Sequence, residues 1–182
     1  MARISLVDPA TADGDGAALL RAIAEERGYA FNVYRVLANS PGVLRHVYGL
    51  ASFLWNESTL PPKLQELVIL KVAQLCRSDY EWARHRELAR RAGVTDQQVE
   101  ALQDPLSAPP ATFDEAERVA LALTVVVTND VAAEGVTVAA ARRVFGERGT
   151  LELVTLVGVY GLVARVLRSL EVDLEPGDQC VL

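Results

Sequence analysis

A glutamate and a histidine lie one helical turn apart in a segment whose residue types suit proton transfer. Glu81 precedes His85 by four residues, so in a helix both side chains lie on one face. That face is otherwise largely apolar and the opposite face is charged, so His85 is expected to point inwards. A buried histidine beside a carboxylate is a candidate proton-transfer pair, because burial and mutual charge adjust both pKa values.

Glu66 is a third candidate group, on the preceding helix and 19 residues before His85. It shares a stripe with Ile69 and Ala73, at the margin of the expected buried surface. A short connection around Arg77 should fold the two helices into a hairpin. Glu66 can then approach His85, so the three side chains are the predicted catalytic residues.

The same residues also have structural explanations, which the sequence leaves open. Ser78-Asp-Tyr-Glu81 has the pattern of a capping box, in which Ser78 caps the helix and Glu81 reaches back to the Ser78 backbone N–H. Glu66 could be a first-turn glutamate that interacts with the helix dipole. His85 could be a core histidine with satisfied hydrogen bonds.

The elements that position these groups are expected to be helices, because no window shows the sustained alternation of a strand. The chain is therefore predicted to be all-α and a single domain over residues 1–182. A Pro-rich connector is expected at 103–111, and loose ends at about 1–15 and 171–182. Thr112 and Glu115 fit a capping box at the start of one helix. The expected helices are 16–27, 31–40, 42–55, 62–76, 78–92, 95–102, 112–128, 136–145 and 150–170.

The composition restricts the partners. Eighteen cationic and 24 acidic residues give a net charge of −6, which argues against a nucleic-acid partner because such binding depends on phosphate neutralisation. The apolar run 153–164 is shorter than the about 20 residues that span a bilayer, and the N-terminal residues 1–16 are not expected to form a signal peptide. The chain is expected to be cytoplasmic, with no membrane partner. The helix at 150–170 is apolar on nearly every face, which favours a homo-oligomer that covers it.

Neither cysteine nor histidine forms a recognisable metal or disulfide pattern. The two cysteines, Cys76 and Cys180, are far apart, and Cys76 is expected to be an inert buried thiol. The two histidines, His46 and His85, are also far apart, so no metal and no cofactor are expected. A small-molecule substrate is the expected partner.

The segment from Glu66 to His85, followed by Ala89-x-x-x-Gly93, resembles the carboxymuconolactone decarboxylase and alkylhydroperoxidase D-like family. The stretches 32–41 and 159–167 are also similar to it. The resemblance implies an all-α fold that assembles into trimers or hexamers, with the site near subunit contacts. It also implies that Glu66 and His85 occupy proton-relay positions.

The chain departs from the peroxidase branch of that family, which carries a Cys-x-x-Cys pair ending four residues before the histidine. Those positions are Ser78 and Glu81 here, so the chain resembles the non-redox, decarboxylase-like branch. The implied activity is cofactor-free decarboxylation or a related proton transfer on a small oxo- or lactone-type carboxylate. The alternatives are a peroxidase that uses Cys76 or Cys180, and an oligomeric member without catalysis.

Four further residues are candidates for lining the substrate pocket. Ser78 and Trp82 flank Glu81 on the same helix, and Tyr34 falls in one of the family-like stretches. His46 lies with Val43 and Leu50 on an apolar stripe, where it is expected to be either a core histidine or a pocket residue.

Overall fold

The computed structural model describes residues 2–178, and this part of the chain folds into helices without any strand. The predicted all-α class is therefore confirmed. Eight helices are present in the described residues: α1 Asp15–Arg27, α2 Asn32–Leu37, α3 Pro41–Asn56, α4 Pro62–Leu75, α5 Asp79–Arg91, α6 Asp96–Ala101, α7 Glu115–Asp130 and α8 Gly135–Ser169.

Helix α4 is the centre of the molecule because two apolar clusters meet on it. Val68, Ile69 and Val72 belong to the larger cluster, which extends to α1, α3 and α8. Leu67 and Leu70 belong to a smaller cluster shared with α5, α6 and α7. With apolar side chains on both sides, α4 is buried on nearly every face and contacts α5, α7 and α8.

A Schellman motif joins α4 to α5 and sets the angle of the hairpin. Arg77 takes the left-handed conformation (φ 53°) and its N–H donates to the Gln74 carbonyl at 3.0 Å. The Ser78 N–H donates to the Ala73 carbonyl at 2.7 Å. A similar motif ends α5, where Gly93 has φ 95° and its N–H donates to the Arg90 carbonyl at 3.0 Å. The predicted hairpin is thus formed by backbone bonds at its turn.

Helix α8 combines the two helices expected at 136–145 and 150–170, which meet end to end at Gly146. Its helical geometry is interrupted at Gly146 (φ 68°, ψ −176°), and the axis kinks there without a loop. By length and composition α8 is able to cross a membrane, but 61% of its most apolar window is buried inside the molecule. A single helix of this kind is weak evidence for a membrane span, since core helices of soluble proteins share these properties.

The N-cap of helix α7 lies two residues after the expected one, Thr112. The residue that caps it is Asp114, whose side chain accepts from the Glu117 N–H at 2.8 Å while the Glu117 carboxylate accepts from the Asp114 N–H at 3.1 Å. The expected capping box of Thr112 and Glu115 is therefore wrong. Both pairs fit the motif, but of the two glutamates Glu117 is the buried one, and its carboxylate also pairs with Lys63.

The described parts of the two ends are bonded to the helices, although the sequence predicted loose ends. The Arg3 N–H donates to the Leu170 carbonyl at 2.7 Å, and the Val7 N–H donates to the Arg35 carbonyl at 3.1 Å. At the other end, the Glu175 carboxylate accepts from the Asn32 N–H at 2.6 Å. Backbone and buried polar groups of the helices supply these partners, which no periodicity in the terminal segments shows.

Candidate functional site

A cavity of about 400 Å³ lies between α1, α2, α3, α4, α5 and α8. Most of its wall is apolar and aromatic, and the polar groups that enter it are few. Glu66, Glu81 and His85 all line it. A concave apolar site with a few convergent polar groups is the usual form of a small-molecule site.

Two carboxylates hold the His85 ring at its two nitrogens. His85 Nδ1 lies 2.9 Å from Glu66 Oε2, and Nε2 lies 3.4 Å from Glu81 Oε2. The histidine is 7% exposed, and the edge of its ring meets the ring of Tyr160 at 5.0 Å. The three groups therefore form a buried Glu–His–Glu arrangement that opens on the cavity.

The electrostatics of this arrangement favour the protonated histidine. Burial alone lowers the pKa of His85, but the hydrogen bonds and negative charges of Glu66 and Glu81 outweigh it. The net effect raises the pKa of His85 from 6.5 to about 9. At neutral pH the ring is thus an imidazolium, which is able to donate a proton to a group in the cavity.

The hairpin turn explains why Glu81 faces the histidine and does not cap its own helix. The Ser78 N–H, which a capping box would give to Glu81, is taken by the Ala73 carbonyl in the Schellman motif. The Ser78 hydroxyl accepts no cap bond either. The capping-box alternative is therefore wrong, and the Glu81 carboxylate is left to approach His85.

Of the four residues predicted to line the pocket, Tyr34 does so. It is buried, and its ring meets Tyr48 edge-on at 5.3 Å. Burial raises the pKa of the Tyr34 phenol well above its usual value, while the charge of Arg27 lowers it and that of Glu81 raises it further. The Tyr34 phenol therefore interacts electrostatically with both Arg27 and Glu81.

The other three candidates lie outside the cavity wall. Ser78 is fully buried at the hairpin turn, and Trp82 packs into the smaller apolar cluster. His46 is exposed and neither a core nor a pocket residue. The stripe it shares with Val43 and Leu50 faces outwards, since those residues are 44% and 40% exposed. The apolar residues of α3 that line the cavity lie on another face of the helix.

Sequence reasoning missed several residues of the wall. Tyr48 and Trp55 lie seven residues apart on α3, a spacing that marks one face of the helix, and Trp55 Nε1 donates to the Tyr160 hydroxyl at 2.9 Å. Helical spacing puts Arg84 on the charged face of α5, yet it lines the cavity with its guanidinium 4.4 Å from the centre of the Phe31 ring. For Arg27 the sequence carries no signal.

The described cysteine is not part of the site. Cys76 is half-buried and does not line the cavity, and burial raises the pKa of its thiol against the lowering effect of Arg165 and Arg168. Cys180 lies outside the described residues. Among residues 2–178, no group of three or more histidine, cysteine and acidic side chains is arranged to hold a metal ion.

Comparisons with known proteins agree with this fold. Residues 41–123, which contain all of α4 and α5, match the model of the carboxymuconolactone decarboxylase family. No match is found among curated proteins.

Solved structures with the same fold include two peroxidase-related proteins and a debrominase. The alkylhydroperoxidase AhpD core protein of Ralstonia eutropha JMP134, a peroxidase-related protein, has a TM-score of 0.79 at 15% identity. The match covers 96% of this chain and 92% of that protein. A peroxidase-related protein of Silicibacter sp. TM1040 has a TM-score of 0.78 at 20% identity, covering 94% and 91%. The debrominase Bmp8 in complex with 2,3,4-tribromopyrrole has a TM-score of 0.75 at 17% identity, covering 96% and 94%. At these identities the likeness concerns the fold alone.

Proposed function

The chain belongs to the carboxymuconolactone decarboxylase family, and from that premise we propose that it is a cofactor-free acid–base enzyme. Its substrate is a small oxo- or lactone-type carboxylate, and its reaction is decarboxylation or a related proton transfer at carbon. The observation that carries the proposal is the buried His85 held between Glu66 and Glu81 at the wall of the cavity.

In decarboxylation, the bond between the carboxyl carbon and its neighbour breaks and carbon dioxide leaves. The electron pair stays on the substrate as an enolate, which must then be protonated at carbon. The His85 imidazolium supplies that proton and is reprotonated from solvent afterwards. Its positive charge also stabilises the enolate before the transfer.

The two carboxylates have different parts in this scheme. Glu66, at 2.9 Å from Nδ1, holds the ring orientation and keeps a proton on that nitrogen. Nε2 is then the nitrogen that releases its proton. Glu81, at 3.4 Å from Nε2, raises the pKa of the ring and contacts the substrate. Glu66 and Glu81 together keep His85 in the acid form at neutral pH.

The proposal is tested by following candidate oxo- and lactone-type acids by NMR in deuterated water. Loss of carbon dioxide and deuterium incorporation at carbon are measured for the native protein, His85→Gln and His46→Gln. The Gln amide neither gains nor loses a proton near neutral pH and cannot act as a general acid. His85→Gln should therefore lower the rate about 10²–10⁴-fold. His46→Gln is the matched control, because His46 is exposed and lies outside the cavity.

The fold of each variant is checked by circular dichroism and thermal melting on the same preparation. A His85→Gln protein that melts earlier but is as active per folded molecule as the native one refutes the acid–base role. His85 would then be a core histidine.

The alternative is a peroxidase that uses a displaced cysteine, as the peroxidase-related structural neighbours suggest. Ser78 and Glu81 stand at the positions of the family's cysteine pair, and the described thiol, Cys76, does not line the cavity. A raised thiol pKa lowers the thiolate fraction at neutral pH, and thiolate is the form that attacks peroxide. These features favour acid–base over thiol chemistry.

A further inference from the structure

Two arginines line the cavity, and they differ in their partners. Arg84 pairs with the Asp178 carboxylate at 3.4 Å. In the described part of the chain, Arg27 has no carboxylate within hydrogen-bond distance: the nearest, on the half-exposed Glu26 side chain, is 4.0 Å from Nε. Arg27 Nε instead donates to the Tyr48 hydroxyl at 3.1 Å.

The Arg27 guanidinium is held in a weakly hydrated position with one donor unused. It lies 4.2 Å above the centre of the Trp55 ring and 5.5 Å from that of Tyr48, so aromatic surfaces replace much of its water. Nη2 is buried and has no hydrogen-bond acceptor among residues 2–178. A charged group with an unpaired donor is costly, and an anion that pairs with the guanidinium would offset part of that cost.

An aromatic wall connects Arg27 to the proton donor. Trp55, under the guanidinium, donates from Nε1 to the Tyr160 hydroxyl, and the Tyr160 ring meets His85. The contacts Arg27–Trp55–Tyr160–His85 therefore follow one another along the cavity wall, with the guanidinium at one end and the imidazole at the other. Flat rings stack on such walls, and guanidinium groups bind carboxylates through paired hydrogen bonds.

We propose that Arg27 is a carboxylate-binding subsite, which selects flat unsaturated or aromatic acids and turns the carbon opposite the carboxylate towards His85. This proposal rests on the proposed function for the role of His85, but the binding step itself needs no turnover. The positive charge of Arg27 also offsets the repulsion between the bound carboxylate and the negative charges of Glu66 and Glu81 in the same cavity.

The test uses benzoate as the probe and benzamide as its neutral counterpart of similar shape. Affinities are measured by calorimetry or ligand-observed NMR for the native protein, Arg27→Met and Arg86→Met. Arg27→Met keeps an apolar stem over Trp55 but removes the charge. Arg86→Met removes the same charge from the exposed face of α5 and is the control.

The native protein should bind benzoate more tightly than benzamide, and Arg27→Met should weaken benzoate about tenfold to a hundredfold while leaving benzamide nearly unchanged. Arg86→Met should change neither. Arg27→Lys keeps the charge without the planar fork, so it should retain part of the preference and serves if Arg27→Met does not fold.

The subsite is refuted if benzoate does not bind at millimolar concentration, binds no better than benzamide, or is insensitive to both Arg27 variants. Failure of the proposed function gives a different pattern, namely Arg27-dependent benzoate binding without any His85-dependent proton transfer. The opposite pattern is a substrate whose turnover depends on His85 but whose affinity is the same in Arg27→Met and the native protein. That result overturns the subsite and leaves the proposed function intact.

Discussion

Raising the pH from 6 to 10 should destabilise the fold through a single residue, His85. Its pKa is about 9 in the folded chain, against 6.5 for the ordinary side chain that the unfolded chain resembles. A group whose folded pKa is the higher one stabilises the fold below the unfolded value. That stabilisation is lost as the pH rises through the folded pKa.

The size of the effect follows from the two pKa values. Between pH 6.5 and pH 9 the folded chain keeps a proton that the unfolded chain has lost, and each pH unit in this window removes about 1.4 kcal/mol of stability. The total is about 3 kcal/mol, a large share of the about 5–15 kcal/mol that stabilises an ordinary domain. It is contributed by contacts with Glu66 and Glu81.

The measurement is a series of urea unfolding curves at fixed protein concentration between pH 6 and pH 9.5, for the native chain, His85→Gln and His46→Gln. The native chain and His46→Gln should share the downward slope, because the exposed His46 makes no such contacts. His85→Gln should lack most of it. In His46→Gln, His85 is the only histidine, so its ring signals in NMR report the same titration without assignment.

Two results would refute this reasoning. A native chain whose stability is constant from pH 6.5 to pH 9 would show that the buried ring is neutral there. A slope that persists in His85→Gln would show that a group other than His85 carries the pH dependence.

Three further predictions follow from other parts of the molecule. Arg77→Gly should raise the free energy of unfolding by up to about 1 kcal/mol, because glycine adopts the left-handed turn without strain. Arg86→Gly, inside α5, should lower the free energy of unfolding. Equal losses in both variants would contradict the turn geometry. The chain should be a homo-oligomer, a trimer or a dimer of trimers, since Leu151 and Leu162 on α8 are 69% and 44% exposed, and a stable monomer in light scattering would exclude this. Thiol-dependent peroxide turnover should be low, and robust turnover that Cys76→Ser abolishes would instead support the displaced-cysteine alternative.

The hairpin that carries the site could be predicted from the sequence because its signals are local and consistent. Pro62 stands in the first turn of α4, Gly93 follows the end of α5, and the helical spacing of Glu81 and His85 is unambiguous. The approach of Glu66 required only that the two helices be antiparallel neighbours. A short connection makes them so.

The remaining wall of the cavity could not be predicted, because it is assembled from residues distant in the chain. Arg27, Trp55 and Tyr160 lie on three different helices, and their contacts depend on how α1 and α8 pack. The face of α3 that carries His46 has the apolar pattern of a buried face, but it is exposed. The face of α5 that carries Arg84 has the charged pattern of a solvated face, but Arg84 lines the cavity. A helical period identifies faces but not which neighbouring element, or solvent, each face meets.

The turn before α5 fits both a capping box and a Schellman motif in the sequence, and in the structure the Ser78 N–H donates to the Ala73 carbonyl of the Schellman motif. Ser78→Ala tests this assignment. Ser78 precedes the helix, but its hydroxyl is buried, makes no cap bond and finds no hydrogen-bond partner within residues 2–178. Ala should therefore leave the free energy of unfolding within about 0.5 kcal/mol of the native value or raise it, because no hydrogen bond is lost. Asp114→Ala is the matched comparison, since Asp114 does cap α7 at 2.8 Å, and it should cost about 1 kcal/mol. Urea unfolding of both variants gives the two values. A Ser78→Ala cost as large as that of Asp114→Ala would mean that Ser78 caps α5 in solution. The turn geometry that directs Glu81 to His85 would then have to be abandoned.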